Sequence, residues 1–358
     1  MQLVNSPYWT FFLLGCEDVQ IRGLLVENPP ATQNGDGIDI DCCKNVTVSD
    51  CIIRSGDDCI TVRGNPRRLG EGDWTCENIA ITNCILRTPC NAIRIGVGDG
   101  HIRKVLFNNI NIPEASRGIS MISLYRKTEN SRRGTCIEDI HFSHFIMEAD
   151  VPFTVGTGHD SARPAAMRNI SFHNFHITAW AGAQFVGTAE TPLEKVLLRD
   201  FDWTVRGGTD NVEFQQALPY PLSHHGYQAH DNTPGLPCAI LASYIQNLSI
   251  HNFQLCWEEP GAVWREGILL TDIEDIDLNN VQLRQPQQET GAAINCHNVQ
   301  NVTLRHSRAA DGTATFLHLE NTEKSTFIRY HGNDFSQAKI PFSQSGQPVE
   351  LIPFKDLE

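Results

Sequence analysis

The sequence predicts a parallel β-helix, a solenoid of about ten to twelve coils, on the basis of three observations. A short segment in which apolar and polar residues alternate recurs along the 358-residue chain. Its copies are mostly 26 to 35 residues apart. A residue type that tolerates a left-handed backbone follows each copy's anchor by four positions. We therefore expect one all-β domain over residues 1–358, with an inserted loop at 206–237 and a C-terminal tail or cap at 336–358.

The repeated segment alternates with a period of two, which is the period of a β-strand. Each copy has Val, Ile or Leu at its third position, from "EDVQIRG" at residue 17 to "QNVTLRH" at residue 300. One interval of 52 residues is interpreted as two turns, with a degenerate copy or a loop between them. The anchors are Val19, Val46, Ile79, Val105, Ile140, Ile170, Val196, Leu248, Ile276 and Val302.

The positions four residues after the anchors predict a tight bend in every coil. Gly and Asn enter the left-handed region with the least strain, and Asp and His are also enriched there. A β-sandwich or propeller would instead show recurring Asn-Gly or Asp-Gly hairpins, which are not a feature of this sequence. The bend residues are Gly23, Asp50, Asn83, Asn109, His144, Asn174, Asp200, Asn252, Asn280 and His306.

Composition and charge argue against several classes of partner. The net charge is −14 and no basic run occurs, so we expect neither nucleic acid nor an anionic membrane to bind. No apolar run reaches the roughly 18 residues of a membrane span, and "YWTFFLLG" lacks the basic leader of a signal peptide. We therefore expect a cytoplasmic protein. The twelve cysteines lie mostly within strand patterns, which favours buried free thiols over disulfides.

The stacking of coils brings three carboxylates together. Aligning "DGIDI" at 36–40 with "DCITV" at 58–62 places the apolar residues of both strands inward. Asp36 then lies beside Asp58, with Asp57 adjacent, at a strand edge that we expect to be open to solvent and substrate. Neighbouring coils are about 4.8 Å apart. Because like charges this close resist ionisation, at least one pKa in the cluster should rise.

Such a cluster suits the cleavage of a glycosidic bond. A protonated acid donates to the leaving oxygen while an ionised base activates water. A Ca²⁺ site made of carboxylate oxygens is an alternative. Capping of backbone amides in turns is another, and we favour it for Asp41 and Asp50. The column of Asp36 and Asp58 continues on later coils through Asn91 to Arg117, and a neighbouring outward column contains Arg94, so a polar groove suited to a sugar is expected.

The same motifs resemble glycoside hydrolase family 28, the polygalacturonase-like enzymes. The resemblance rests on "NSPYW" (5–9), "NGDGIDI" (34–40), "SGDDCI" (55–60) and "IRIG" (93–96), and it covers about residues 2–146. It implies a right-handed β-helix and inverting hydrolysis of a pectin-type glycan, with no cofactor and no metal. Carried over to this sequence, the resemblance makes Asp57 the general acid. Asp36 and Asp58 would hold and activate the water.

Two departures from the family pattern bear on the substrate. Polygalacturonases of the family carry Gly-His-Gly where residues 90–92 read Cys-Asn-Ala, and Arg-Ile-Lys where residues 120–122 read Ser-Met-Ile. The cations that would hold a galacturonate carboxylate are therefore absent, although Arg94 and Arg117 lie nearby. Cleavage of a rhamnogalacturonan-like or neutral glycan fits better than cleavage of plain polygalacturonate. The candidate substrate-binding residues are Asn34, Asn91, Arg94, Arg117, Tyr125 and Arg126.

Two other functions stay open at this point. A non-catalytic or truncated β-helix could bind carbohydrate without turnover. A polysaccharide lyase would need Ca²⁺ and a Lys or Arg base. Members of the family normally have further coils and a cap before the "NSPYW" region, so we expect a homo-oligomer that covers an open N-terminal end. The expected ligand is an oligo- or polysaccharide.

Overall fold

The computed structural model describes residues 1–72, 74–123, 134–157, 166–208, 238–261, 264–287, 291–321 and 326–353. Most of these residues form strands, and every strand pairing is parallel. Parallel strands joined by crossovers wind almost always with a right hand. The protein is a right-handed parallel β-helix, which confirms the predicted fold class. Within the described ranges, no helix is long and apolar enough to cross a membrane.

Strands β1 to β24 and one short 3-10 helix, η1, make up the described coils. In chain order they are β1 (Gln2–Val4), β2 (Phe11–Leu14), β3 (Glu17–Arg22), β4 (Leu25–Glu27), β5 (Ile38–Asp41), β6 (Lys44–Ser49), β7 (Ile52–Arg54), β8 (Ile60–Gly64), η1 (Pro66–Arg68), β9 (Cys76–Gly98), β10 (His101–Ile122), β11 (Cys136–Gly156), β12 (Met167–Ala179), β13 (Ala183–Val186), β14 (Leu193–Gly208), β15 (Cys238–Pro260), β16 (Glu266–Ile273), β17 (Ile276–Leu283), β18 (Ala292–His297), β19 (Val302–Arg305), β20 (Arg308–Ala309), β21 (Thr313–Asn321), β22 (Thr326–His331), β23 (Ala338–Gly346) and β24 (Val349–Pro353).

The coils stack into faces that run the length of the molecule. The face that carries the candidate site is built from β2, β5, β8, the last parts of β9, β10 and β11, then β13, the start of β15, and β16, β18, β21 and β23. A second face contains β3 and β6, and a third contains β1, β4 and β7. Strands such as β9 are long because they bend from one face to the next without a break.

The ten predicted anchors stack directly on one another on the second face. Val196 pairs with Leu248. The 52-residue interval is therefore a single coil step, and its interpretation as two turns was wrong. An insertion of about one period has the same length as an additional coil, so spacing alone could not separate them. Residues 209–237, most of the predicted inserted loop, lie outside the described ranges.

The predicted bend column is confirmed, since all ten of its residues have positive φ, from Gly23 at 65° to His306 at 51°. Their side chains also bond between coils. Asn83 Nδ2 donates to Asp50 Oδ1 at 3.2 Å, and Asn109 Nδ2 donates to Asn83 Oδ1 at 2.8 Å. A second left-handed column precedes the anchors and was not predicted. It includes Asp18, Asn45, Asn78, Lys104, Asp139, Asn169, Lys195, Asn247 and Asn301.

The interior of the coil is a continuous apolar core. Like side chains stack from coil to coil, and the Phe142 ring centroid lies 5.2 Å from that of Phe107 and 4.9 Å from that of Phe172. The twelve cysteines are all free thiols, and most of them are buried among these side chains. Residues 338–353 of the expected C-terminal tail form β23 and β24, which pair with β21 and β22 and extend two faces.

Candidate active site

The carboxylate column predicted by alignment is present in the first face. Asp39 pairs with Thr61, which pairs with Arg94, and Asn91 pairs with Arg117. The Gly37 N–H donates to the Asp58 carbonyl at 2.9 Å. The same backbone ladder places four side chains at equivalent positions on successive coils. They are Asp36, Asp58, Asn91 and Arg117.

Exposure divides the three candidate carboxylates. Asp57 is half-buried, whereas Asp36 is 4% exposed and Asp58 is 2% exposed. The expectation that solvent reaches all three was wrong for Asp36 and Asp58. Neighbouring coils are in van der Waals contact. The coils on either side therefore cover a side chain that lies in the stacked column of Asp36 and Asp58. Of the three, Asp57 offers the most surface to a substrate.

Asp58 is the ionised carboxylate of the cluster. Its Oδ1 accepts from Asn91 Nδ2 at 2.5 Å, and its Oδ2 accepts from Arg94 Nη1 at 2.9 Å. Burial opposes ionisation, but the Arg94 charge and the hydrogen bonds from Asn91 and Arg94 outweigh it, so the pKa of Asp58 is lowered. Arg94 is thus a partner of Asp58, with a side chain only 13% exposed.

The pKa of Asp57 is shifted in the opposite direction, upward. Burial and the neighbouring Asp58 charge raise its pKa, although Cys90, Arg94 and the Asn34 N–H stabilise the ionised form. The Asn34 N–H donates to Asp57 Oδ2 at 3.1 Å. Asn34 is exposed and has a φ of 51°. An adjacent pair with one raised and one lowered pKa is the electrostatic arrangement that acid–base catalysis requires.

Two further carboxylates enlarge the cluster. Burial, with the charges of Asp58, Asp39 and Asp57, raises the pKa of Asp36 to about 9. Burial also raises the pKa of Asp39 to about 7, although the Arg63 guanidinium opposes this shift. Asp36 is therefore protonated at neutral pH. One Oδ atom of Asp36 and one of Asp39 are buried without a hydrogen-bond partner among the described residues.

Cys90 was missed by the sequence analysis. It is 5% exposed, and its Sγ lies within 4.8 Å of one oxygen each of Asp57 and Asp58, which are themselves that close. The signal was available, because Cys90 precedes Asn91 in the aligned column as Asp57 precedes Asp58. A thiol and two carboxylates are a donor set for a divalent cation. Here the Arg94 guanidinium already supplies positive charge at Asp58.

Asp41 caps a backbone amide, as predicted, whereas Asp50 accepts from the side chains of Arg22 and Asn83. Asp41 Oδ1 accepts the Asn65 N–H at 2.7 Å, and its Oδ2 lies 3.2 Å from Arg63 Nε. Arg63 also reaches Asp39 at 3.5 Å, and its guanidinium lies 4.5 Å from the centroid of the Trp9 ring. The ion pair of Arg63 was not predicted, because nothing in the local pattern of β8 distinguishes it from a solvated arginine.

The remaining candidate residues are placed less favourably for substrate contact. Arg117 is only 2% exposed, which leaves almost no surface for a sugar carboxylate. Asn91 is 3% exposed and its Nδ2 contacts Asp58 and the Cys90 sulfur. Tyr125 and Arg126 lie outside the described residues. Their roles in binding remain predictions.

The raised pKa of Asp36 makes the stability of the protein depend on pH. The unfolded value is 3.8 and the folded value about 9, so between them the folded state keeps a proton that the unfolded state has released. The contribution is fully present below the unfolded pKa. It is lost as pH rises toward the folded pKa, so the free energy of unfolding falls over that window.

We expect Asp36→Asn to flatten this dependence. Urea unfolding of the wild type and the variant at about pH 5 and about pH 8 measures it. The stability of the variant relative to the wild type should rise with pH, because the amide has no proton to lose. Asp50→Asn, at an exposed bend, is the matched control and should track the wild type. Parallel curves for wild type and Asp36→Asn would contradict the assignment.

A family model and several known proteins are similar to part of the chain. A family model for glycosyl hydrolases family 28 matches residues 1–69, which include Asp36, Asp57 and Asp58. A probable polygalacturonase of Vitis vinifera is 38% identical over 63 residues, covering 18% of this chain and 13% of that protein. A probable polygalacturonase of Arabidopsis thaliana is 28% identical over 172 residues, covering 40% of this chain and 38% of that protein.

The chain therefore spans less than half of the length of these two plant relatives. Among solved structures, the tailspike protein gp49 from Pseudomonas phage LKA1 aligns with 96% of this chain and 50% of its own, at 14% identity and a TM-score of 0.39. The match to the family model and the similarity to plant polygalacturonases agree with the carboxylate motifs. Residues 1–69 thus match glycosyl hydrolases family 28, and the chain is similar to plant polygalacturonases over part of its length.

Proposed function

We propose that this protein hydrolyses a glycosidic bond of a pectin-type glycan by acid–base catalysis. The observation that carries the proposal is the pair formed by Asp57 and Asp58. One carboxylate oxygen of Asp57 lies within 4.8 Å of one of Asp58, and the pKa values of the two groups are shifted in opposite directions. The more accessible member has the raised pKa, which suits a proton donor to a leaving oxygen.

In this mechanism Asp57 is the general acid and Asp58 is the base. Arg94 and Asn91 hold Asp58 ionised, so it can accept a proton from water. Asp36 is protonated at neutral pH, so its carboxyl group can donate a hydrogen bond to that water and orient it. This divides the joint role that the family resemblance implies for Asp36 and Asp58.

Inversion at the anomeric carbon is the proposed stereochemical outcome. Asp58 binds neighbouring side chains through both oxygens and is 2% exposed, so it is better held to polarise water than to attack carbon. Most inverting enzymes separate the two carboxyl groups by about 6.5 to 9.5 Å to admit the water between them. Here the water would lie beside Asp58 on the side of Asp36 rather than between Asp57 and Asp58.

The substrate is proposed to be rhamnogalacturonan-like, or neutral at the cleaved sugar, rather than plain polygalacturonate. Ser120, Met121 and Ile122 provide no cation, and the guanidinium of Arg94 is paired with Asp58. The Arg94 guanidinium is thus paired with the Asp58 carboxylate and not with a sugar carboxylate. A lyase would need a free base at this site, and the pairing of Arg94 with Asp58 does not favour one.

Release of reducing ends from a panel of glycans tests the proposal. The panel contains homogalacturonan, rhamnogalacturonan, and rhamnosyl and galactosyl aryl glycosides. We expect turnover on a rhamnogalacturonan-type or neutral substrate with a bell-shaped pH profile. Activity should be lost at low pH as Asp58 becomes protonated and at high pH as Asp57 loses its proton.

The same reactions distinguish the alternatives. The initial product is a hemiacetal of inverted configuration by NMR if hydrolysis is inverting, and of retained configuration if Asp58 acts as a nucleophile. Products that absorb in the ultraviolet would identify a lyase. If the folded protein released no reducing ends from any glycan of the panel, that result would refute hydrolysis and support a carbohydrate-binding β-helix.

A further inference from the structure

The Cys90 thiol has no part in the proposed mechanism, although it lies against both members of the acid–base pair. Its Sγ and one oxygen each of Asp57 and Asp58 all lie within 4.8 Å of one another. Cys90 is 5% exposed and Asp58 is 2% exposed, whereas Asp57 is half-buried. The three ligand atoms therefore form a compact, mostly buried group that solvent reaches at Asp57.

The register of the coils holds the thiol in this place. Ile60 of β8 pairs with Ile93 of β9, so Cys90 lies on its coil where Asp57 lies on the coil before. Equivalent positions on neighbouring coils are about 4.8 Å apart. The Thr88 hydroxyl accepts the Cys90 N–H at 3.0 Å and itself donates to the Asp57 carbonyl. The backbone of the two turns is thus tied together before any ligand binds.

The Asn91 amide is directed into the same group and is only half satisfied. Its Nδ2 lies 2.5 Å from Asp58 Oδ1 and 3.3 Å from Cys90 Sγ. The side chain is 3% exposed, and its Oδ1 is buried without a hydrogen-bond partner among the described residues. A buried oxygen without a partner is unfavourable, so a ligand that uses it gains. Turning the amide over places this oxygen toward the thiol and the carboxylates, because the two ends of an amide have nearly the same shape.

The donor set favours one class of cation. A sulfur ligand selects zinc and softer ions, whereas Ca²⁺ and Mg²⁺ take oxygen ligands almost exclusively. With the thiol ionised, Asp57, Asp58 and Cys90 carry three negative charges against the one positive charge of Arg94. The remaining charge of −2 matches a divalent cation. Arg94 contacts Oδ2 of Asp58, so Oδ1 is the oxygen that faces the thiol side.

We propose that Asp57, Asp58, Cys90 and Asn91 bind a divalent cation of the zinc class, with the Cys90 sulfur as the ligand that selects it. As the bond between sulfur and metal forms, the thiol proton passes to solvent, and Asp57 releases its proton in the same way. The site goes beyond the proposed function and bears on it. A carboxylate bound to a metal cannot donate a proton to a leaving oxygen, so the cation would inhibit hydrolysis until a chelator removes it.

Titration of the reduced full chain with Zn²⁺ against a chromophoric chelator tests the site. Co²⁺ is titrated in parallel, because a thiolate bound to cobalt gives a charge-transfer absorption. We expect one tight equivalent that excess Ca²⁺ or Mg²⁺ does not displace. Cys90→Ser should weaken zinc binding by at least about a hundredfold and remove the charge-transfer band, since a metal deprotonates a thiol far more readily than a hydroxyl.

Cys256→Ser is the matched control, because Cys256 is an exposed free thiol on a later coil. It should keep both the affinity and the band. Asp57→Asn keeps the thiol and removes one carboxylate, so the band should persist while the affinity falls by about tenfold or more. Thermal melts would show that each variant is folded. Zinc binding that is unchanged in Cys90→Ser, no stoichiometric zinc on the wild type, or displacement by Ca²⁺ would overturn the proposal.

The outcome is separable from that of the proposed function. Inhibition is measured on a neutral aryl glycoside, because the carboxylates of a uronate would compete for the metal. If the wild type cleaves no glycan yet binds zinc through Cys90, the metal site stands and hydrolysis falls. If hydrolysis continues at an undiminished rate with zinc saturating, the metal does not lie at Asp57 and the site falls.

Discussion

Asp57→Asn should abolish most of the turnover while leaving the fold intact. An amide cannot donate a proton to the leaving oxygen, and a positioned general acid is worth about a hundred- to ten-thousandfold in rate. The loss should appear in kcat, with KM nearly unchanged, because Asp57 acts mainly in the transition state. The fall in activity at high pH should disappear with the group that causes it.

The measurement is reducing-end release on the substrate that the wild type cleaves best. Asp50→Asn is the control, since Asp50 is an exposed bend residue where Asn also tolerates a positive φ of 57°. It should retain full activity. If Asp57→Asn kept more than about a tenth of the wild-type rate, the proton would have to come from another group.

Arg94→Gln should damage both stability and catalysis, because Asp58 then loses its ion pair with Arg94. The side chains of Asp58 and Arg94 are 3% and 13% exposed, so the ion pair is buried. Removing one partner of a buried pair costs about 3 to 5 kcal/mol of the free energy of unfolding. With Arg94 gone, burial dominates and the pKa of Asp58 rises, so the low-pH limb of the activity profile should move to higher pH.

A double-mutant cycle measured by urea unfolding separates the pair from other effects. Asp58→Asn combined with Arg94→Gln should be more stable than the sum of the single variants predicts, and should still be inactive. Arg22→Gln removes an exposed partner of Asp50 and should have a much smaller effect on stability. Additive losses in the cycle would show that Asp58 and Arg94 do not stabilise each other.

Asp57→Asn tests the proposed general acid, and Arg94→Gln tests the group that holds the proposed base ionised. In the proposed mechanism Asp57 acts as the acid while its neighbour Asp58 stays ionised, and the contacts of Asp58 with Arg94 and Asn91 favour that state. Neither Asn91 nor Arg94 loses a proton near neutral pH, so together they would keep the proposed base charged.

The sequence by itself determined the fold and the column of candidate residues. Strand alternation and the tolerance of Asn, Asp and Gly for a left-handed bend are local properties, and each coil repeats them. The register of the site strands came from a separate alignment of residues 36–40 with residues 58–62, which places the apolar residues of both strands inward. Asp36 beside Asp58 follows from that alignment without knowledge of any side-chain contact.

Only the tertiary structure decided the charge state of the site and the meaning of the 52-residue interval. Arg94 lies 36 residues after Asp58, and its alignment on a neighbouring column did not reveal which carboxylate it pairs with. Asp36 was expected to be accessible and is 4% exposed. The pKa of a carboxylate depends on its depth from solvent and its distance to other charges. Both quantities are set by how the coils pack, and neither is a property of any single repeat.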